Sequence, residues 1–223
     1  MTEVTQQKSG VIMFMGPPGS GKGTQARFVQ ERFGFERIET GALLRAMRKE
    51  DTPIAKMITE MIDAGNLAPP AFVAQMVINR AKEILARGNG VVFDGSPRTL
   101  FEVEELLKAL GEDNKGKILT IALRVPIDNA RERLLIRLVC KQCNIPSTNS
   151  RAKCEHCGGE LVKRADDNSV VMENRWDEYN FRTLPVINYL DSLGLVEQIN
   201  GARSVEEVAV DVEKAIKKRI FNE

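Results

Sequence analysis

The chain has 223 residues, 43% of them apolar and 28% charged, with 32 Lys and Arg against 31 Asp and Glu and a formal net charge of +1. That length suits one α/β domain with an insertion, and it can bury a core without help from disulfides or metal. The composition excludes a disordered chain, and the charge balance argues against non-specific nucleic-acid or polybasic membrane binding, which need excess Lys and Arg. Residues 1–9 read as a loose tail, and the opening MTEVTQQKSG lacks the apolar stretch of a secretory leader. The longest mainly apolar runs, 11–15 and 118–125, fall well short of the roughly 20 residues that span a bilayer. The expectation is a soluble, cytoplasmic protein without nucleic-acid or membrane partners.

Residues 11–15 form an unbroken apolar run, which suits a parallel strand buried on both faces. A Gly/Pro-rich turn follows, then a helix over about 21–33. Residues 71–87 read as a helix, 91–93 as a second buried strand ending at Asp94, and 99–110 as a helix. A third strand at 118–125 leads into a helix at 126–137 with Pro126 near its first turn. A long helix at 169–193, a short strand at 196–199 and a closing helix complete the chain; Ser204 and Glu207 have the spacing of a capping box. This alternation predicts a doubly wound parallel sheet. Two stretches depart from it. Residues 40–69 read as short helices punctuated by Pro53, Gly65 and Pro69, without a strand, and 138–165 are polar and hold the cysteines. The expected architecture is a core with two flaps over one end of the sheet.

Gly16-Pro-Pro-Gly19-Ser20-Gly21-Lys22-Gly23-Thr24 lies between a strand and a helix, where a phosphate-binding loop belongs. Glycines let successive N–H groups point inward, and the helix N-terminus adds partial positive charge. Lys22 is then expected to reach the β- and γ-phosphates of a nucleotide. The bland alternative is an ordinary Gly-rich turn. Gly23 stands where such loops usually carry the hydroxyl that ligates Mg²⁺, with Thr24 one step later. Asp94 therefore becomes the expected organiser of a Mg²⁺ water shell.

All four cysteines fall in one segment, as Cys140-x2-Cys143 and Cys154-x2-Cys157. Paired x2 spacing lets the thiolates of each knuckle face one tetrahedral Zn²⁺, whose role would be structural. Reduced thiols or one disulfide is the alternative. His156 lies between two of them but is set aside, since four thiolates already complete a site. A nucleic-acid ribbon is disfavoured because the segment between the knuckles has few basic residues and no aromatics.

GPPGSGKGT, TGALLR (40–45), DGSPRT (94–99) and RADDN (164–168) together resemble the adenylate kinase family, most closely its long-lid bacterial type with a zinc ribbon. The resemblance runs in order from about residue 10 to the C-terminus. It implies a five-stranded parallel sheet, an AMP-binding flap and an ATP-covering lid, and Mg²⁺-dependent transfer of the γ-phosphoryl of ATP to AMP. It divides the chain into a core of 1–39, 70–136 and 168–223, an AMP flap at 40–69 and a zinc-ribbon lid at 137–167, in a monomer. Gly19 to Thr24 would hold ATP phosphates, Arg133 would lie over its base and Arg203 beside the adenine. Arg45 and Arg98 would hold the AMP phosphate, with Thr40, Gly41, Asn66, Leu67, Ala68, Gly95, Ser96, Pro97 and Glu102 around AMP. Lys22, Arg98, Arg137, Arg164 and Arg175 would surround the transferring group. Such convergence of cations is what phosphoryl transfer asks of a protein. Arg133 and Arg137, four apart, are expected on one helix face. Asp166 and Asp167 could cap the helix near Asn168 or meet arginines on closure.

Three positions depart from the family pattern. Glu102 stands where a Gln usually reads the adenine of AMP, Ser96 replaces a Phe and Ala42 an Asp. An ionised Glu offers only acceptors, which would suit a base edge with two donors such as guanine. Thr99 and Glu102 also have the spacing of a capping box. AMP remains the expected acceptor, with a kinase for GMP, CMP or UMP as the alternative and a non-enzymatic nucleotide- or nucleic-acid-binding protein as the more distant one.

Overall fold

The computed structural model describes residues 10–111, 116–143, 145–147, 153–163 and 169–223, with Ser169 described in its backbone alone. The expectations placed on residues 1–9 and on Arg164, Asp166, Asp167 and Asn168 lie outside the described residues.

The main sheet opens with β1 (Val11–Met15), β2 (Glu36–Glu39), β3 (Val91–Asp94) and β4 (Ile118–Arg124). A second sheet holds β5 (Leu138–Cys140), β6 (Pro146–Ser147) and β7 (Leu161–Lys163), and β8 (Val196–Asn200) returns to the first. The main sheet has the order β2-β3-β1-β4-β8 with every pair parallel. The continuous hydrophobicity of β1 has the expected cause. Val11, Met13 and Met15 enter one core cluster, while Ile12 and Phe14 enter the other on the opposite face. The first cluster includes residues of α4 (Pro70–Ala86), α5 (Leu100–Leu110) and α8 (Leu184–Ser192). The second draws on α1 (Lys22–Phe33) and α9 (Val205–Ile216). Helices on both faces of a parallel sheet make the doubly wound fold.

Strand β2 has no counterpart in the sequence reading. Its residues Glu-Arg-Ile-Glu bury only Ile38, because β2 is an edge strand with β3 as its single neighbour. It escapes a search for apolar runs. The segment at 40–69 is helical as expected, with α2 (Thr40–Ala46), a 3-10 turn (Met47–Lys49) and α3 (Pro53–Asp63). Thr52 caps α3 by accepting from the Ala55 N–H at 3.2 Å, with Pro53 in its first turn.

Two helical expectations need correction. Helix α6 (Ile127–Ile136) ends before Arg137, whose backbone is extended (φ −65°, ψ 128°), so Arg133 and Arg137 do not share a helix face. The long helix at 169–193 is α7 (Ser169–Glu178) joined to α8 by one π turn at 179–183. Pro185 has no N–H for the carbonyl of Phe181, and the wider turn absorbs that lost bond. The capping box of α9 forms as expected, with Ser204 N donating to Glu207 Oε2 at 3.0 Å and Glu207 N to Ser204 Oγ at 3.2 Å. Among the described residues no helix is long and apolar enough to cross a membrane.

Candidate active site

The carboxyl ends of β1, β2 and β3 open into one cleft of about 910 Å³. The loop after β1 forms its floor. Gly19 has φ +83°, and a Cβ there would stand 2.3 Å from the carbonyl oxygen of Ala130, so only glycine fits. Lys22 reaches back over the loop, its Nζ donating to Gly16 O and Pro17 O, each at 2.7 Å, and to Ser20 Oγ at 3.2 Å. Removal from water brings the Lys22 pKa down to about 7, with Arg98, Arg175 and Arg137 adding to the fall and Asp94 opposing it. Four of the five expected catalytic cations therefore share one electrostatic neighbourhood. Arg164, the fifth, lies outside the described residues.

Asp94 ends β3 against the first turn of α1. A Cβ on Gly23 would meet its Oδ2 at 3.1 Å. The hydroxyl missing from position 23 has thus been exchanged for room in which the Asp94 carboxylate can approach the loop. Arg37 flanks the same carboxylate, with Nε 3.9 Å from Asp94 Oδ2, and its Nη1 donates to Gly23 O at 3.4 Å. It also pairs with Glu39, and Glu39 Oε1 lies 3.3 Å from Arg45 Nη2. Arg37 and Glu39 were not found by motif reading. The signal that could have exposed them was the position of β2, which places Glu39 beside Asp94 in parallel register.

On the acceptor side, Thr40 Oγ1 and Ser96 Oγ form a buried hydrogen bond of 2.7 Å. Ser96 therefore joins the start of α2 to the turn after β3. Arg98 Nε donates to Gly95 O at 2.8 Å, and Thr183 Oγ1 donates to Arg98 O at 3.2 Å. Gly41, Arg45, Leu67, Gly95, Pro97 and Arg98 line the cleft. Asn66 is exposed, and Ala68 is buried beside it.

Glu102 sits differently. It is 3% exposed and is absent from the cleft lining. Its Oε2 accepts from Arg98 N at 3.0 Å and its Oε1 from Thr99 Oγ1 at 3.1 Å, while Glu102 N donates to Thr99 Oγ1. The carboxylate thus caps α5, reaching one residue further back than the usual box. Burial raises its pKa against the effect of these hydrogen bonds.

The opposite wall carries Arg133, which donates to the carbonyls of Gly201, Ala202 and Arg203 at 2.7, 3.1 and 3.4 Å. Arg203 pairs with Asp211 and donates through Nε to Asn200 O. Arg133, Arg137, Arg175 and Arg203 all line the cleft, as do Val139 and Lys163 of the small sheet. Residues 64 and 65 also rest on α7. Asn174 Nδ2 donates to Ala64 O at 2.8 Å, and a Cβ on Gly65 would stand 2.7 Å from Val171 O.

The four cysteine sulfurs lie within 4.8 Å of one another, and no disulfide joins them. Cys140 and Cys157 Sγ are 3.4 Å apart, and Cys143 and Cys154 Sγ 3.6 Å. A tetrahedron with zinc–sulfur bonds of about 2.3 Å has edges of about 3.8 Å, so the donor set fits that ion. The backbone N–H groups of Cys143 and Gln142, with the neighbouring thiols, bring the Cys140 thiol down to about 6, while desolvation and the neighbouring thiols push Cys143 and Cys157 up, so one thiol of the set ionises ahead of the others. Such donors favour the thiolate that a metal binds.

A family model described as adenylate kinase matches residues 14–195. An adenylate kinase of Carboxydothermus hydrogenoformans is 37% identical over 215 residues, covering 93% of this chain and 99% of the relative. One from Thermodesulfovibrio yellowstonii is 36% identical over 88% of this chain and 94% of its own. One from Moorella thermoacetica is 35% identical over 92% and 97%.

Proposed function

Because the chain belongs to the adenylate kinase family, we propose that it transfers the γ-phosphoryl group of ATP reversibly to AMP, giving two ADP. The observation that carries this reading is the single cleft that gathers Lys22, Arg98, Arg137 and Arg175 beside Asp94. Its volume lies at the upper end of the range for small-molecule sites, as two nucleotides meeting phosphate to phosphate require.

In this reading the loop N–H groups and Lys22 hold the ATP phosphates, and Arg45 and Arg98 hold the phosphate of AMP. Arg137 and Arg175 stand where charge accumulates between them, with Arg164 as a further member. Positioning and charge neutralisation supply most of the catalysis in such transfers. Mg²⁺ enters with ATP and neutralises phosphate charge; Asp94, held open by Gly23, is the residue that would orient its water shell. Arg133 and Arg203 shape the wall for the ATP base. The cysteine set holds a structural Zn²⁺ in the lid at 137–167, while 40–69 serves as the AMP flap and the remaining residues as the core. A monomer in the cytoplasm completes the reading, with no nucleic-acid or membrane partner, in keeping with the net charge of +1.

A different acceptor is not favoured. The carboxylate of Glu102 is engaged in the cap of α5, away from the cleft lining, and the relatives carry the name adenylate kinase. A coupled assay with ATP, Mg²⁺ and each of the four nucleoside monophosphates tests the reading. AMP is expected to exceed the others by orders of magnitude in kcat/KM. ADP formation no greater than that of a Lys22→Ala control would overturn the enzyme reading.

A further inference from the structure

We propose that Glu39 tunes the acceptor site by competing with the phosphate of AMP for the guanidinium of Arg45. The proposal rests on the reading of Arg45 as a ligand of that phosphate. Glu39 lines the cleft together with Arg45, and the two are joined by a 3.3 Å ion pair in which each side chain is about 30% exposed. The pair is therefore open to exchange rather than locked in the interior.

The second carboxylate oxygen of Glu39 pairs with Arg37, whose side chain is only 10% exposed. Arg37 is itself anchored, by its bond to Gly23 O and its approach to Asp94. Glu39 is thus held from below by a fixed cation and from the cleft side by an exchangeable one. When a dianionic phosphate takes Arg45, Glu39 keeps Arg37, so no carboxylate is left buried without a counter-charge. The exchange still opposes binding. The bound phosphate must displace a carboxylate and then sit near it, and the like charges repel. Glu39 therefore sets how tightly an anion can hold Arg45.

The test is the affinity for AMP alone, measured by calorimetry, so that it does not depend on turnover. Glu39→Gln is close in shape, at a half-buried position ending an edge strand. It is expected to lower the Kd for AMP about three- to tenfold at low salt, the range set by a partly exposed ion pair and a like-charge contact. Glu39→Asp, which keeps the charge, is expected to hold the Kd within about twofold of the parent. Inorganic sulfate, an anion without the nucleoside, is expected to bind Glu39→Gln more tightly than the parent as well. The difference between parent and Glu39→Gln should shrink as salt rises. An unchanged or higher Kd in Glu39→Gln, with the unfolding midpoint preserved, would overturn the proposal. If the parent binds AMP but Arg45→Met binds it equally well, the placement of the phosphate fails instead.

Discussion

The Asp94 carboxylate occupies the space that a side chain on Gly23 would need, with only 3.1 Å between Oδ2 and the missing Cβ. The glycine that breaks the usual phosphate-loop pattern is therefore the complement of an acidic residue on the neighbouring strand. Gly23→Ser, which restores the common hydroxyl, is expected to push Asp94 away. We expect about a tenfold loss in kcat/KM, with the Mg²⁺ concentration for half-maximal activity raised, and an overpacking penalty of about 1–3 kcal/mol. Steady-state kinetics across a Mg²⁺ series would check it.

Lys22 leads to a prediction about protons. With its pKa at about 7 in the free protein, much of the lysine is neutral at pH 8. Bound phosphates favour the ammonium and so raise that pKa, which means that ATP binding takes up a proton. Calorimetry at pH 8 in buffers of different ionisation enthalpy should show uptake approaching one proton, falling toward zero at pH 6. Lys22→Met should abolish it.

The same linkage gives a stability test at Glu102. Burial raises its folded pKa above the unfolded value, so the folded state holds the proton more tightly. Its contribution is fully present below the unfolded pKa and is lost as pH rises through the folded one. Glu102→Gln removes this dependence while keeping an acceptor for Arg98 N. Relative to the parent, the variant's unfolding midpoint is expected to be higher at pH 8 than at pH 4, by thermal melts at both values.

The cysteine set predicts close to one zinc per chain in protein purified without chelator. Cys154→Ser should lose the metal and lower the unfolding midpoint by about 5 °C or more, since binding and local folding are one equilibrium. Chelator should reproduce the shift in the parent and leave the variant unmoved. Well under one zinc per chain with all four thiols titratable would contradict it.

How much of this was legible in the sequence depended on whether function was written in residue type or in placement. The phosphate loop was legible because its glycines and Lys22 are needed in one order along the chain. The cysteine cluster was legible because x2 spacing brings sulfurs together locally. Glu39 and Arg37 were not, since their neighbours Asp94 and Arg45 meet them only through the parallel pairing of β2 with β3. Nor does periodicity fix where a helix stops: Arg137 carries no marker of an end, yet α6 finishes one residue earlier. Glu102 had the right spacing for a cap, but the reach of its carboxylate back to Arg98 N is a matter of three-dimensional geometry.

The seat of Gly65 and Ala64 on α7 has a mechanical meaning. Residues 64 and 65 meet the helix that carries Arg175 through the Asn174 amide on Ala64 O and the close approach of Gly65 to the Val171 carbonyl, one turn from that arginine. Such a joint has little slack, so a displacement of the segment at 40–69 bears directly on the helix that carries Arg175 into the cleft. Packed interfaces transmit strain rather than absorb it. The two halves of the cleft thereby share a bearing, and a bulky residue at position 65 would wedge it open.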